Sequence, residues 1–172
     1  HSSTGALPNG TNAYAETKLI PSSSLTVNST HLSFYSRTSN VKNGARDIAV
    51  YQNQNLPALA LGTNTGILLS DQYNYTTLRI SVSLTNALGF FIGSRSSSTS
   101  HKLYGNGTQL GLTNTTPNAL TLPNQELFIS AENNGPYPVV SFSDKQSAFA
   151  SIGDGLTDTE AANFYIAVQT FQ

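Results

Sequence analysis

Leu78-Arg79-Ile80-Ser81-Val82-Ser83-Leu84 decides the reading of this chain. Its apolar residues fall on every second position, and the polar ones fall between them. Successive side chains of a strand point to opposite faces, so the stretch predicts a strand with one face buried. The same pattern recurs on either side. His31 to Thr38 sets Leu32 and Phe34 against Tyr35 and Arg37. Arg46 to Gln52 turns Ile48 and Val50 inward. Leu88 to Arg95 places Leu88, Phe90 and Ile92 on one face. Glu126 to Asn133 carries Leu127, Ile129 and Ala131 inward, and Gln146 to Ile152 carries Ala148, Ala150 and Ile152.

Turn residues separate these runs: Asn43-Gly44, Asn134-Gly135-Pro136 and Gly153-Asp154-Gly155. Many short strands at this spacing predict an all-β, antiparallel two-sheet β-sandwich. One hairpin is well specified. Asn106-Gly107 sits between Leu103-Tyr104 and Gln109-Leu110 and suits a type I′ turn, whose two central residues need positive φ. Ser94 to Ser100, nearly all serine, reads as a loop. The chain closes with a short C-terminal α-helix. Thr157-Asp158-Thr159-Glu160 is a capping box. Ala161, Phe164, Tyr165, Val168 and Phe171 then follow at helical spacing as a packing face.

The 172 residues suffice for a single domain, 1–172, with no staples. There is no Cys, which excludes disulfides, thiol nucleophiles and Cys-type zinc sites. There is no Met either, so the chain reads as a mature product or a domain cut from a longer one, with neighbouring domains as partners. Charged residues make up 10% and the net charge is −1. Such a chain lacks the basic footprint that nucleic acid requires. No apolar run is long enough to span a bilayer. Ser, Thr and Asn are about a third of the residues, so the surface offers uncharged hydrogen-bonding groups. That composition fits an extracellular, cell-surface or virion protein.

The C-terminal half carries a resemblance. The hairpin HKLYGNGTQLG (101–111) is followed by ELFISAENNG (126–135) and FSDKQSAFASIGDGLTDTEAANFY (142–165). This order resembles the closing section of the concanavalin A-like lectin/glucanase (laminin-G-like) jelly rolls. ETKLIPSSSLTVNSTHLSFYSRT (16–38) is similar to modules of phage tail and bacterial surface proteins. The resemblance implies two curved antiparallel sheets stacked face to face. It leaves function open, because members bind glycans, bind proteins, cleave polysaccharides or space other domains.

The acids weigh against catalysis. Glycoside hydrolysis needs two carboxylates about 5–10 Å apart. The glucanases of this superfamily carry theirs at alternate positions of one strand. Here no strand has two acids two residues apart, and Glu126 and Glu132 stand at opposite ends of one run. A pair from two strands remains the one route to a hydrolase or lyase. His31 and His101 lack a Gly-x-Ser-x-Gly elbow or a zinc spacing, and read as structural. No cofactor is implied, except that calcium would suit oxygen ligands from Asp144, Asp154 and Asp158 around a glycine turn. The expected function is therefore a non-catalytic binding or adhesion module with a glycan ligand. A purely structural spacer is the alternative. Tyr73-Asn74-Tyr75 and Asn133-Asn134 with Tyr137 combine aromatic rings with amides and are the candidate ligand residues.

Overall fold

The structure is a computed structural model, described here for residues 5–52, 58–64, 66–73, 78–117 and 120–172. Two antiparallel sheets are stacked with their apolar faces together. The strands are β1 (Ala15–Glu16), β2 (Thr30–Ser36), β3 (Arg46–Tyr51), β4 (Ala58–Asn64), β5 (Ile67–Tyr73), β6 (Ile80–Ser83), β7 (Gly89–Ser97), β8 (Ser100–Gly105), β9 (Thr108–Asn114), β10 (Phe128–Ile129), β11 (Glu132–Asn133) and β12 (Ser147–Gly153). A single helical turn, α1 (Pro21–Ser24), and the short C-terminal helix, α2 (Asp158–Phe171), complete the described elements. One sheet has the order β1-β10-β3-β4-β5-β6, with β11 added in parallel to β3. The other has the order β12-β2-β7-β8-β9.

The core between the sheets follows the alternation. Leu32 and Phe34 of β2 meet Ile48 and Val50 of β3 and Leu59 and Leu61 of β4. Leu78 and Ile80 are buried, and Val82 and Leu84 pack partly buried against the same cluster. Each such side chain contributes roughly 1.5–3 kcal/mol when fully buried.

Three segments depart from the sequence reading. In β7, Phe91 faces the inter-sheet core, while Phe90 and Ile92 face outward with Tyr104, Ala161 and Val168. Both faces of this strand are apolar because α2 covers the outer one. Leu88, expected beside Phe90 and Ile92, is half exposed. Glu126 to Asn133 is not one strand. Ser130 at φ 66° breaks it into β10, antiparallel to β3, and β11, parallel to β3. Ser94 to Ser100 is no loop: β7 runs through it to a tight turn, and Arg95 is fully buried.

The hairpin and the helix form as the local chemistry dictates. Asn106 and Gly107 have φ of 49° and 80°, which gives the two positive angles the turn needs. At the start of α2, Thr157 Oγ1 accepts from Glu160 N–H, and the Glu160 carboxylate accepts from Thr157 N–H. Thr157→Ala is expected to cost about 1 kcal/mol in urea unfolding, with Thr157→Ser close to neutral. Equal loss in both variants would show that the cap is not what matters there.

The N-terminal segment ties the two sheets along one edge. Ala6 exchanges backbone hydrogen bonds with Ser147, at the edge of the five-stranded sheet. Nine residues later, Ala15 pairs with Ile129 of the other sheet. Gly5 permits the first contact: its φ is 92°, and a Cβ there would lie 2.2 Å from the Ser147 carbonyl oxygen.

Candidate functional site

The expected ligand residues separate into different roles. Tyr73 is not a loop residue. It ends β5 at φ 75°, which turns its ring inward, and it is fully buried. Its hydroxyl lies 2.5 Å from Thr30 Oγ1, and burial pushes its pKa up. Asn74 and Tyr75 lie outside the described residues. Asn133 is spent on structure: Nδ2 donates to the Glu126 carbonyl (2.7 Å), and Oδ1 accepts from Gly135 N–H (3.2 Å). Asn134 is half-buried and Tyr137 is exposed. The register nevertheless brings the two groups to one end of the larger sheet. Asn133, Val50, Leu59 and Gln72 form a single cross-strand row. Three strand spacings separate its ends, roughly 14 Å.

The three aspartates do not converge. Among the described residues no group of three or more His, Asp or Glu could hold a metal ion. Asp144 accepts from Asn40 Nδ2 at 2.8 Å. The Asp154 carbonyl receives a hydrogen bond from His31 Nδ1 at 2.5 Å. Asp158 already has a cation: Lys102 Nζ donates to it at 2.7 and 2.8 Å, and Tyr104 OH at 2.8 Å. These donors hold the Asp158 carboxyl below its ordinary range.

One pair of acids from different strands shares a face. Asp71, Ala60, Ala49 and Glu132 form a row across the outside of the larger sheet. Both acids are buried and engaged. Arg79 binds Asp71 through Nε and Nη2, each at 2.7 Å, and Tyr51 OH donates to it. Glu132 accepts from Ser141 Oγ at 3.2 Å and faces Arg46 Nε at 3.6 Å. Burial raises the Glu132 pKa. Two covered carboxylates, each with its own guanidinium, do not flank an open groove as hydrolysis would need.

The open concavity lies elsewhere. A cleft of about 890 Å³ follows the edge of β12, walled by the N-terminal segment and the end of α2. This falls within the size range of small-molecule sites, roughly 300–1,000 Å³. Tyr14, Phe149 and Phe171 supply aromatic surface to it. Tyr14 is stacked on Phe128 with ring centroids 4.8 Å apart, which fixes its plane. Phe171 was expected on the packed face of the helix, yet it is 75% exposed and touches Phe149 edge-on. Arg37 is the one charged residue lining the cleft, and Nη2 donates to Gln172 Oε1 at 2.7 Å. Among the described residues no Asp, Glu or His side chain lines it. Sequence reasoning missed this site because Tyr14, Arg37, Phe149 and Phe171 share no motif. Only the fold brings the two chain ends to one edge.

No family model matches the chain, and no curated protein matches it. Solved structures do. The NanB sialidase of Streptococcus pneumoniae matches at TM-score 0.63 and 12% identity, over 92% of this chain and 28% of that one. The binding domain of botulinum neurotoxin serotype C1 matches at TM-score 0.55 and 13% identity, over 83% and 37%. A structure from work on botulinum neurotoxin type C, whose cell entry depends on two ganglioside molecules, matches at TM-score 0.55 and 16% identity, over 84% and 37%. The chain thus spans well under half the length of each of these proteins. At such identities the likeness is one of fold, and the fold is an antiparallel two-sheet β-sandwich with a C-terminal helix on its outer face.

Proposed function

We propose that the chain is a non-catalytic binding module for a glycan, of the concanavalin A-like, laminin-G-like type, working outside the cell or on a virion surface. The observation that carries this reading is the aromatic-walled cleft at the β12 edge. Pyranose rings present apolar C–H faces and polar rims. Tyr14, Phe149 and Phe171 offer flat apolar surface, and Arg37, Ser130 and Gln172 offer donors and acceptors around it. Pockets of this kind use mostly apolar walls with a few polar groups that orient the ligand. Among the described residues no Asp or Glu side chain lines the cleft, and cleavage of a glycoside would need two. The ligand class is supported by structures of similar fold from work on a toxin that interacts with two ganglioside molecules and from a toxin binding domain in complex with SialylT.

Phe171→Ala removes an exposed ring at the end of a helix and should leave the fold intact. We expect the protein to label a subset of a glycan array, and Phe171→Ala to weaken the strongest hit at least about tenfold by calorimetry, a loss of about 1.4 kcal/mol. Binding that survives unchanged in Phe171→Ala would move the site away from the cleft. A blank array would favour the spacer reading.

A further inference from the structure

We propose that one end of the sandwich core is a site for a small monovalent anion of the halide class. The apolar core stops short at this end. Thr30, Arg95 and His101 form one row across β2, β7 and β8. They face Ser70, Gln72 and Tyr73 of β5 in the opposite sheet, with hydrogen bonds joining Thr30 to Gln72 and Tyr73, and His101 to Ser70. Thr30, Arg95, His101, Ser70, Gln72 and Tyr73 are all withdrawn from solvent.

The hydrogen bonds in this layer run in one direction. Tyr73 OH donates to Thr30 Oγ1, and Thr30 Oγ1 donates to Gln72 Oε1 at 2.6 Å. With Oε1 so engaged, Nε2 is the end of the amide left over. His101 Nδ1 donates to the Leu78 carbonyl at 2.8 Å, and Nε2 lies in hydrogen-bond contact with Ser70 Oγ at 3.0 Å. Both ring nitrogens are thus engaged. Arg95 spends Nη1 on the carbonyl of Ser98 at 2.9 Å. Its guanidinium lies 5.9 Å from the centre of the Tyr73 ring.

Three donors remain. Arg95 Nε, Arg95 Nη2 and Gln72 Nε2 are buried and have no hydrogen-bond partner among the described residues. Only two other buried side-chain atoms of the described residues share that condition, Arg46 Nε and Asp144 Oδ1. No described ion pair includes Arg95. A buried cation without a counter-charge costs several kcal/mol. A water molecule could satisfy donors, but it brings no charge. A monatomic anion brings both, and it accepts from donors in any direction, such as those that Arg95 and Gln72 carry on the two sheets. Full burial of Arg95 and Gln72 favours a small ion over a large one. The site is independent of the glycan reading, since none of these six residues lines the β12 cleft.

The test uses the intact chain at fixed ionic strength, with chloride or bromide exchanged for gluconate. We expect Tm to rise by several degrees, and to saturate, as halide replaces gluconate. A bromide-soaked crystal should show an anomalous peak beside Arg95. Gln72→Glu supplies a carboxylate next to the guanidinium. This variant should keep a high Tm in gluconate and lose the halide dependence. Arg95→Met should abolish both the dependence and the peak. Equal Tm in chloride and gluconate for the unmodified chain, with no bromide peak, would overturn the proposal and leave water as the occupant. So would halide dependence that persists in Gln72→Glu. If either variant does not fold, the unmodified chain alone decides through its Tm and its anomalous map.

Discussion

Lys145→Met is expected to be among the most damaging single substitutions in the chain, lowering the unfolding free energy by about 3–5 kcal/mol. Lys145 is 1% exposed, and it forms an ion pair with the buried Asp47. Its Nζ donates to Asp47 Oδ1 at 2.9 Å, to Asp47 Oδ2 at 3.2 Å and to Thr63 Oγ1 at 3.0 Å. Ser143 Oγ adds a further bond to Asp47 Oδ1 at 2.8 Å. The cluster links β3 and β4 of one sheet to the segment that enters β12 of the other. Removing the ammonium strands the Asp47 carboxylate in a place water does not reach. The size of the effect comes from that stranded charge rather than from the intrinsic worth of the pair. Lys145→Met combined with Asp47→Leu should therefore lose less than the sum of the single changes, because no charge is then left uncompensated. Urea denaturation of the three variants measures this directly. A loss under about 1 kcal/mol for Lys145→Met would mean the pair is hydrated, as surface pairs are.

Acid should destabilise the protein through His101 well before the carboxylates are neutralised. Burial, followed by the neighbouring Arg95 charge, lowers the His101 pKa from 6.5 to about 3. The sign follows from proton uptake. Between about pH 6.5 and 3 the unfolded chain binds a proton at this ring and the folded chain does not. Unfolding is then favoured as pH falls, and the contribution of the neutral ring is complete only above the unfolded value. Over the whole window this amounts to roughly 4–5 kcal/mol. His31 acts in the same direction: burial lowers its pKa as well. NMR titration of the imidazole carbons checks the claim residue by residue. His101 should show no titration down to pH 4 in the folded state. A midpoint near 6.5 would mean that water reaches the ring.

The sequence reading succeeded wherever neighbouring residues determine the outcome. Thr157 and Glu160 form the capping box within three residues of each other. Asn106-Gly107 needs only its own two angles to set a turn. Ile48, Val50, Leu32 and Phe34 face the core because alternation is a property of the strand itself. It failed where a distant segment decides. Phe90 and Ile92 face outward because a helix some 70 residues later shields them. The serine-rich stretch 94–100 holds a buried arginine, which its composition conceals. Tyr73, a candidate ligand residue by sequence, is fully buried. A single left-handed residue at the end of β5 turns it inward, and no local pattern announces that angle. The candidate site was least legible of all. Tyr14 and Phe171 lie 157 positions apart, and neither marks itself as part of a cleft.

The segment from Gly5 to Glu16 is hydrogen-bonded first to one leaf of the sandwich and then to the other. It works as a clasp across the seam. A pull on the N-terminal side loads these few bonds in series before it disturbs any interior side chain. Undoing them would let the leaves part along that seam, and the aromatic trough would lose a wall. The closure of the seam and the shape of the trough thus rest on the same dozen residues, and trimming them would undo both together.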